Sequence, residues 1–423
     1  MTDKQPKLAI VTTHAIQHFV PVYQRLAEHY GADLKVFYIG ENGVKDSVDK
    51  DFGVSYSWDL PLLNGYNYDF INPGKIIQDF SFREVDCTKI NHLLDDYQPD
   101  FVWLNGYWAM VNWRVLIKKR LGKFPLLKSK HQPVRLIYSS DSNLQDYRNW
   151  LKKVIKQVLV RFFIKHCDHY ISVSEQNRRY LEHYGASPAK IEDACYPIDM
   201  QRLTTQRDAL TQNDRNEIRA HYAINQDAFV VIFSGKLIDH KRPIDLIHAL
   251  AQLKKNQHKQ ECVVLFMGDG DQRDELRLTA KQLGVDNQVV LAGFVNQSDI
   301  AKHLFAADVL ALPSRKEPFG AVVSEALPFG LPIIAADQIG AVGEEDAAQP
   351  EKNALVYPWG DVDALAQAIA RLSTDNALYK KFQQHSLSIV DANDADVYCQ
   401  ALLKFLQNDS VNGTKQCDNK NHA

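Results

Sequence analysis

Short apolar runs alternate with longer amphipathic runs along most of this chain, and this alternation limits the fold more than any other feature. In the first half, apolar runs that predict strands lie at 7–11, 34–38, 100–104, 134–138 and 169–173. In the second half, they lie at 229–233, 262–267, 288–291, 308–312 and 332–335. Strands that alternate with helices need crossover connections, which favours mostly parallel sheets covered by helices. The sequence therefore predicts two α/β domains, each built on a doubly wound parallel sheet.

A polar stretch between the two series of strands marks the predicted domain boundary. Residues 199–216 carry few apolar side chains and separate the last strand of the first series from the first strand of the second. We therefore predict an N-terminal domain over 1–205 and a C-terminal domain over 206–390. The last residues, 409–423, are largely polar, and we expect them to form a disordered tail.

Composition excludes several classes of protein. Apolar residues make up 45% and charged residues 24%, as in ordinary globular proteins, and the net charge of −3 disfavours a nucleic-acid-binding protein. The six cysteines form no Cys-x-x-Cys pair, so we expect neither a zinc site nor a disulfide framework. The first residues lack a secretory pattern and no apolar run approaches the length of a membrane span. We expect a cytoplasmic protein.

The stretch 307–334 carries the strongest chemical signal. A predicted strand is followed by a loop with Glu317 and Gly320, and then by a helix that carries Glu325. Glycine lets a backbone approach a ligand closely, and the amide groups at the start of a helix favour a phosphate. Carboxylates beside such amides suit hydroxyl groups or a developing cation. The combination predicts a site for a sugar joined to a diphosphate.

Three further loops follow predicted strands in the C-terminal half. The first carries Gly235, Lys236 and Lys241, and the others lie at 268–270 and 293–295. Lysine ammonium groups can neutralise a diphosphate and stabilise the charge on a departing nucleoside diphosphate. Because ligands of open parallel sheets bind beyond the carboxyl ends of the strands, we expect these loops and the Glu317 loop to open onto one edge.

The order and spacing of these motifs resemble those of the retaining glycosyltransferases of family 4, which have the two-domain GT-B fold. The matching features are Gly-Lys with a second lysine after it, Gly-Asp-Gly at 268–270, Gly-Phe at 293–294, and two glutamates with seven residues between them. The resemblance implies two Rossmann-like domains that face each other across a cleft. It also implies that the last long helix, within 391–408, packs back on the first domain.

The resemblance implies roles for two lysines and two glutamates. Lys236 and Lys241, beside Gly235, resemble the basic pair that holds the donor diphosphate. Glu325 resembles the glutamate that binds the ribose hydroxyls, and Glu317 resembles the one that contacts the transferred sugar. Further donor contacts, the first two of them at the nucleobase, are implied for Phe294, Val295, Phe319, Gly320, Ala321 and Val322.

Two polar residues of the N-terminal half complete the predicted site. His14 follows the first strand, where the family usually has a pair of glycines. Asn105 follows the strand that ends at Leu104, where many members have a histidine. An asparagine can hydrogen-bond a sugar hydroxyl but does not titrate. We take Glu317, Asn105 and His14 as the candidate catalytic residues.

The resemblance implies transfer of a sugar, of the hexosyl type, from a UDP- or GDP-sugar to a hydroxyl acceptor with retained anomeric configuration. By analogy, the acceptor is a sugar or a lipid-linked sugar in bacterial surface polysaccharide or glycolipid synthesis. We predict no cofactor and no metal, because the two lysines already offset the diphosphate charge. A GT-B sugar-nucleotide epimerase and a non-catalytic sugar-nucleotide-binding subunit remain open as alternatives. A nicotinamide dehydrogenase is disfavoured, because no Gly-x-Gly-x-x-Gly follows the first strand.

One region departs from the slightly acidic average. Residues 111–166 contain 14 Lys or Arg and two acidic residues, a local charge of +12, so the rest of the chain carries −15. Within this region, an apolar stripe recurs at helical spacing, made of Leu151, Val154, Ile155, Val158, Leu159, Phe162 and Phe163. Two interpretations stay open: the apolar stripe covers the sheet, which we favour, or it rests on an anionic membrane. Both leave basic groups exposed, so peripheral contact with the inner face of the cell membrane is kept as a hypothesis.

Overall fold

The computed structural model describes residues 6–48, 55–121, 134–145 and 150–418. The chain divides into two compact units. Unit 1 comprises Met1–Ser47, Pro61–Pro197 and Ala395–Ala423, and unit 2 comprises Val48–Leu60 and Ile198–Asp394. Unit 2 therefore includes a short segment, 48–60, that the predicted boundaries assign to the first domain.

Unit 1 is built on a parallel sheet. The strands up to residue 197 are, in chain order, β1 (Leu8–Thr12), β2 (Leu34–Tyr38), β3 (Ser47–Val48), β4 (Ser55–Tyr56), β5 (Asn67–Phe70), β6 (Phe101–Asn105), β7 (Arg135–Ser139), β8 (His169–Ser172) and β9 (Ile191–Asp193). In the described residues, seven of them form one parallel sheet in the order β5-β2-β1-β6-β7-β8-β9. The short strand β3 pairs with β4, which lies in the segment 48–60 of unit 2. The helices among them are α1 (Val20–Glu28), α2 (Ile90–Tyr97), α3 (Met110–Arg120), α4 (Trp150–Lys165) and α5 (Glu175–His183).

Unit 2 repeats this architecture. Its helices are α6 (Met200–Asp208), α7 (Gln212–His221), α8 (Ile244–Lys255), α9 (Arg273–Leu283), α10 (Ile300–Ala306), α11 (Ala321–Ala326), α12 (Val362–Thr374) and α13 (Asn376–Ser388). Its strands are β10 (Phe229–Ser234), β11 (Cys262–Met267), β12 (Val289–Gly293), β13 (Val309–Leu312), β14 (Ile333–Ala336) and β15 (Ala354–Tyr357). Across the described part of the unit, these six strands are parallel, in the order β12-β11-β10-β13-β14-β15.

The central strands are apolar on both faces because both faces are covered. Strand β11 is Cys-Val-Val-Leu-Phe-Met and is buried throughout, and β1 and β13 are likewise buried along their lengths. Such continuous apolar runs are typical of parallel sheets with helices on both sides. The prediction of two Rossmann-like parallel-sheet domains is confirmed.

The polar stretch 199–216, predicted as a domain boundary, instead forms the helices α6 and α7 of unit 2. The Asp199 side chain accepts a hydrogen bond from the N–H of Arg202, and Thr211 and Asp214 form a reciprocal capping box. These caps satisfy amide groups that have no partner within the helix. The helices are nearly all polar, so the apolar periodicity that identifies a helix in a sequence is weak here.

Helix α14 (Ala395–Asp418) belongs to unit 1. Its Tyr398 ring stacks on Trp103 with centroids 5.4 Å apart, and the Cys399 thiol lies 3.7 Å from the carbonyl oxygen of Val22 in α1. The helix continues to Asp418, where a disordered tail was expected from 409. Adding a residue to an existing helix costs far less than starting one, so polar composition alone does not end a helix.

Candidate functional site

The loops singled out from the sequence follow neighbouring strands of unit 2. Strands β12, β11, β10 and β13 are adjacent and parallel, so their carboxyl ends share one edge of the sheet. Gly235 follows β10, Gly268 follows β11 and Phe294 follows β12. The loop that carries Glu317 follows β13. The structure therefore brings these four loops to the same edge.

Glycine at position 268 is required by the close packing of two of these loops. Its N–H donates to the carbonyl oxygen of Gly293 at 2.8 Å, and the N–H of Gly235 donates to that of Met267 at 3.0 Å. A Cβ atom at position 268 would lie 1.9 Å from the carbonyl oxygen of Gly235. Any other residue would force the loops after β10 and β11 apart, which explains why a glycine-rich turn stands here.

Lys241 and Glu317 form an ion pair at this edge. The Nζ atom of Lys241 lies 2.7 Å from Oε2 of Glu317, and the side chains are 19% and 12% exposed. The hydroxyl of Ser314 donates to the same carboxylate oxygen at 3.4 Å. Lys241 also lies beside Gly235, because its Nζ is 3.4 Å from the place that a Cβ of that glycine would take. Lys236 directly follows Gly235 and is half-buried.

The loop with Glu317 is held against the turn after β14. The N–H of Gly340 donates to the carbonyl oxygen of Glu317 at 3.1 Å, and that of Ala341 donates to Phe319 at 2.9 Å. Gly320 has φ of +97°, a conformation that glycine adopts without strain, and α11 begins at the next residue. Among the other predicted donor contacts of this loop, two side chains are buried and one is half-buried: Phe319, Val322 and Ala321.

Glu325 lies in α11 with 5% of its surface exposed, and burial raises the pKa of its carboxyl group to about 7. Two groups act against that rise: the positive charge of Arg202 and the side-chain amide of Gln297, which hydrogen-bonds the carboxyl group. Arg202 donates from Nη2 to Oε1 of Gln297 at 2.9 Å. Because a guanidinium only donates, Oε1 of Gln297 is the acceptor and its NH₂ group is left to donate to Glu325.

The loop after β12 carries Phe294 and Val295, the residues predicted to contact the nucleobase. The ring of Phe294 packs against Trp58 with centroids 6.1 Å apart. Trp58 comes from the segment of unit 2 that precedes residue 61, and this segment is anchored by a 2.9 Å hydrogen bond from the side chain of Asn296 to the carbonyl oxygen of Ser57. A distant part of the chain thus adds an aromatic side chain beside Phe294.

In unit 1, His14 follows β1 and is half-buried. Its Nδ1 atom lies 2.8 Å from the hydroxyl of Thr13, and its ring meets that of Phe80 edge-on at 5.2 Å. Burial lowers the pKa of His14 to about 4. The imidazole is therefore neutral at pH 7, so it can donate or accept a hydrogen bond but contributes no positive charge.

Asn105 ends β6, which is next to β1, so it shares the carboxyl edge of the unit 1 sheet with His14. The indole N–H of Trp103 donates to the hydroxyl of Ser139 at 2.7 Å, and that hydroxyl donates to Oδ1 of Asn105 at 2.6 Å. Since an indole only donates, the direction of this chain is fixed and the amide nitrogen of Asn105 is its free end. That buried nitrogen has no hydrogen-bond partner within the described residues.

Sequence analysis missed five residues that shape these two edges: Trp58, Trp103, Ser139, Arg202 and Gln297. Two of them could have been found, because Ser139 ends β7 and Gln297 follows β12, so both obey the rule that polar residues after strands gather at one edge. Arg202 lies in the stretch interpreted as a boundary. In the part of the chain that the structure covers, no group of three His, Cys, Asp or Glu side chains is placed to hold a metal ion.

Comparison with protein families matches the two halves of the chain separately. The family described as Glycosyl transferases group 1 matches residues 214–387, and Glycosyltransferase Family 4 matches residues 59–202. Among curated proteins, a D-inositol 3-phosphate glycosyltransferase of Streptomyces bingchenggensis is 28% identical over 257 residues, which cover 57% of this chain and 54% of that protein. The lipopolysaccharide core biosynthesis glycosyltransferase LpsE of Rhizobium meliloti is 32% identical over 160 residues, covering 38% and 44%. The chain spans about half the length of these curated relatives.

A solved structure matches nearly the whole chain. Anabaena HepE in complex with UDP is similar with a TM-score of 0.70 at 18% identity, over 95% of this chain and 100% of that one. At this identity the likeness concerns the fold, and it agrees with two parallel-sheet α/β units in one chain.

Proposed function

Because this chain belongs to the group 1 glycosyltransferases of family 4, with the two-domain GT-B fold, we propose that it transfers a sugar from a nucleoside diphosphate to a hydroxyl acceptor with retained configuration. The observation that carries the proposal is the ion pair between Lys241 and Glu317 at the edge where glycine-rich loops converge. A cation and a carboxylate side by side suit a ligand that joins a phosphate to a sugar. The names of the two curated relatives, both sugar transferases, support it.

In this proposal the lysines neutralise the donor diphosphate. Lys241 gives up part of its contact with Glu317 to a phosphate oxygen, and Lys236 on the same loop adds a second positive charge. The freed carboxylate accepts a hydrogen bond from a hydroxyl of the transferred sugar. It also stabilises the positive charge that develops on the sugar ring, while the lysines stabilise the negative charge on the leaving diphosphate. With these charges supplied by side chains, we propose that no metal is needed.

The nucleoside half of the donor is assigned to the neighbouring loop. Ionised Glu325 accepts hydrogen bonds from the ribose hydroxyls, held in position by the amide of Gln297. Phe294, Val295 and Trp58 offer apolar surface to the base. The UDP in the HepE complex makes a UDP-sugar the first donor to test, and a GDP-sugar the second.

The chemical step follows from retention. The acceptor oxygen forms a bond to the anomeric carbon on the face from which the phosphate oxygen departs. The bond to that phosphate oxygen breaks, and the acceptor proton passes to the phosphate of the departing nucleoside diphosphate. We assign His14 and Asn105 as neutral hydrogen-bonding groups for the sugar or acceptor, because neither carries a charge at pH 7.

We propose a sugar or lipid-linked sugar of bacterial surface polysaccharide or glycolipid as the acceptor. The name of LpsE, a lipopolysaccharide core glycosyltransferase, supports that class. The roles proposed for Lys236, Lys241 and Glu317 concern the donor and are the same for any hydroxyl acceptor.

The test combines donor binding with product analysis. UDP- and GDP-sugars are screened by thermal shift, and a donor that binds is incubated with and without a panel of sugar acceptors. A product whose new linkage keeps the donor configuration by NMR is the expected result, and it should form in the presence of EDTA. A changed sugar nucleotide formed without acceptor would identify an epimerase. Binding without turnover on any acceptor would favour a non-catalytic subunit, and loss in EDTA with recovery in manganese would refute metal independence.

A further inference from the structure

Helix α4 (Trp150–Lys165) carries apolar side chains on two opposite faces. On one face, Val160, Phe163 and Ile164 are fully buried in the core of unit 1. On the other, five large apolar side chains are 46–70% exposed: Trp150, Val154, Ile155, Val158 and Leu159. At about 100° per residue, the centres of the two sets lie on opposite sides of the helix. The expectation that the apolar stripe covers the sheet is therefore wrong for four of its residues, Val154, Ile155, Val158 and Leu159.

The error has a physical cause. Lys156 faces the core with 9% of its surface exposed, and its ammonium group lies 5.8 Å from the centre of the Tyr180 ring. A long lysine stem can lie along apolar surface while its charge meets an aromatic ring, so a lysine does not mark the outer face of a helix. As a result, the apolar stripe that is more continuous in the sequence, from Val154 to Leu159, faces solvent.

The exposed face is also basic. Helix α4 contains five Lys or Arg and neither Asp nor Glu. Among them, Arg161 and Lys165 are exposed and lie, by their helical positions, on the same side as the exposed apolar side chains. The charge of the wider region 111–166 is smaller at the surface than its sequence suggests, because aspartates outside it pair with three of its bases: Arg114, Lys118 and Lys119. The exposed positive charge of the described part of the region is thus concentrated on α4 and its neighbours.

The end of α3 extends this face. The guanidinium of Arg120 lies 4.9 Å from the centre of the Phe162 ring in α4, so the two helices meet there. Arg120 is exposed, and Leu121, directly after α3, is 59% exposed. We define the α4 face as Trp150, Val154, Ile155, Val158 and Leu159 with the exposed bases Arg120, Arg161 and Lys165.

A surface that combines exposed apolar side chains with positive charges matches a partner with anionic groups above an apolar layer. A bilayer with anionic lipids has this arrangement, with tryptophan favoured at its boundary. The 16 residues of α4 span about 24 Å, less than the bilayer core, and no helix in the described residues is long and apolar enough to cross it. A second copy of the chain is a poorer occupant, because a two-fold interface would bring these bases against themselves.

We propose that α4 lies flat on an anionic bilayer, with its exposed apolar side chains at the boundary of headgroups and acyl chains and its bases among the headgroups. This contact involves no residue assigned to donor or acceptor. Membrane binding is therefore measurable without either, and its failure would leave the proposed sugar transfer untouched.

The test is co-sedimentation of the full chain with vesicles of phosphatidylcholine alone and of phosphatidylcholine and phosphatidylglycerol in equal parts. We expect binding to the anionic vesicles at least about tenfold tighter than to the neutral ones, and weaker in high salt. Ile155→Ser with Val158→Ser should lower binding about tenfold or more. The matched control, Leu278→Ser with Leu387→Ser, removes two exposed leucines of unit 2 and should bind as the unaltered chain does.

The electrostatic contribution is tested separately. Arg161→Gln with Lys165→Gln should lower binding to anionic vesicles only, and Lys380→Gln with Arg277→Gln, two exposed bases of unit 2, should not. Equal melting temperatures show that the variants fold. The proposal is overturned by no binding of the unaltered chain to anionic vesicles, or by equal binding of the apolar double variant. A third result would also overturn it: the unaltered chain is a dimer, the apolar double variant is a monomer, and neither binds vesicles. In that case the α4 face binds a second copy of the chain instead of a membrane.

Discussion

The ammonium group of Lys241 lies 2.7 Å from the carboxylate of Glu317, although 76 residues separate them in the chain. Both side chains are largely buried, so each charge depends on the other when no ligand is bound. In the proposed function, a phosphate oxygen accepts a hydrogen bond from the lysine ammonium group, and a sugar hydroxyl donates one to the carboxylate. The pair therefore links the stability of unit 2 to its chemistry, and the two contributions can be separated by mutation.

Replacing Glu317 with glutamine should lower turnover about 10²–10³-fold, because an amide cannot stabilise positive charge on the sugar ring. Donor affinity should stay the same or rise, since Lys241 loses its competing carboxylate. Steady-state kinetics and calorimetric titration with the donor measure the two effects. Glu275→Gln, at an exposed glutamate of α9, is the control and should change neither. A Glu317→Gln enzyme with normal turnover would show that this carboxylate has no part in the chemistry.

Replacing Lys241 with methionine should weaken the donor and also destabilise unit 2. The free energy of unfolding should fall by about 2 kcal/mol, because Glu317 is left buried without its cation. The double variant Lys241→Met, Glu317→Gln should recover most of that stability without recovering activity. Urea denaturation of the unaltered chain, the two single variants and the double variant gives the coupling free energy between Lys241 and Glu317. If the double variant is as unstable as Lys241→Met, the loss comes from the packing of the lysine stem instead.

The pKa of Glu325, raised by burial from 4.5 to about 7, predicts a pH-dependent stability. Below pH 4.5 the carboxyl is protonated in both states, whereas between 4.5 and 7 the unfolded chain has lost the proton that the folded chain keeps. The free energy of unfolding should therefore fall as pH rises through this window, by roughly 3 kcal/mol in total, and then level off. Glu325→Gln mimics the protonated form, so the difference in stability between it and the unaltered chain should follow this curve. A difference that is constant from pH 4.5 to 7 would contradict the raised pKa.

Arg202 and Gln297 should act on the donor only through Glu325. Gln297→Leu removes the amide that favours the ionised carboxylate, so the pH midpoint of donor binding should move upward and the donor KM should rise, with kcat little changed. Arg202→Met should have the same effect in stronger form, because it removes both the positive charge near Glu325 and the anchor of Gln297. Arg277→Met, at an exposed arginine of α9, serves as the control for loss of positive charge. A fall in kcat with an unchanged pH midpoint would mean that these residues serve another step.

The sequence predicts well which loops meet at the carboxyl edge of the unit 2 sheet, because the parallel topology determines their position. Once β10, β11, β12 and β13 are recognised as successive parallel strands, the loops that follow them have to meet, and Gly235, Gly268 and Glu317 lie on those loops. The partner of a given side chain is not settled in this way. Arg202 and Gln297 are 95 positions apart, and their hydrogen bond leaves no local pattern in the sequence.

Helix α4 shows a second limit of sequence analysis. Periodicity identifies an apolar stripe on a helix but not which of two stripes meets the core, and that choice depends on the shape of the sheet beneath. Val160, Phe163 and Ile164 fit there, while Val154, Ile155 and Val158 do not. The segment that brings Trp58 to Phe294 is a similar case, since the chain leaves unit 1 for only a few residues.

Asn105 offers the sharpest test on the unit 1 edge, because its amide nitrogen is buried without a partner among the described residues. Asn105→Leu removes this unpaired donor, which stabilises the fold, but it also removes the acceptor of the Ser139 hydroxyl, which destabilises it, so the free energy of unfolding should change little. If a sugar or acceptor oxygen fills that position, the same variant should lower kcat/KM about 10–100-fold, as expected for one lost hydrogen bond. Ser139→Ala should lower both quantities, because it frees the Asn105 amide to turn and leaves the indole N–H of Trp103 unpaired. Ser139→Thr keeps the hydroxyl and should restore part of kcat/KM. An Asn105→Leu enzyme that is both stable and fully active would show that no ligand atom reaches this nitrogen.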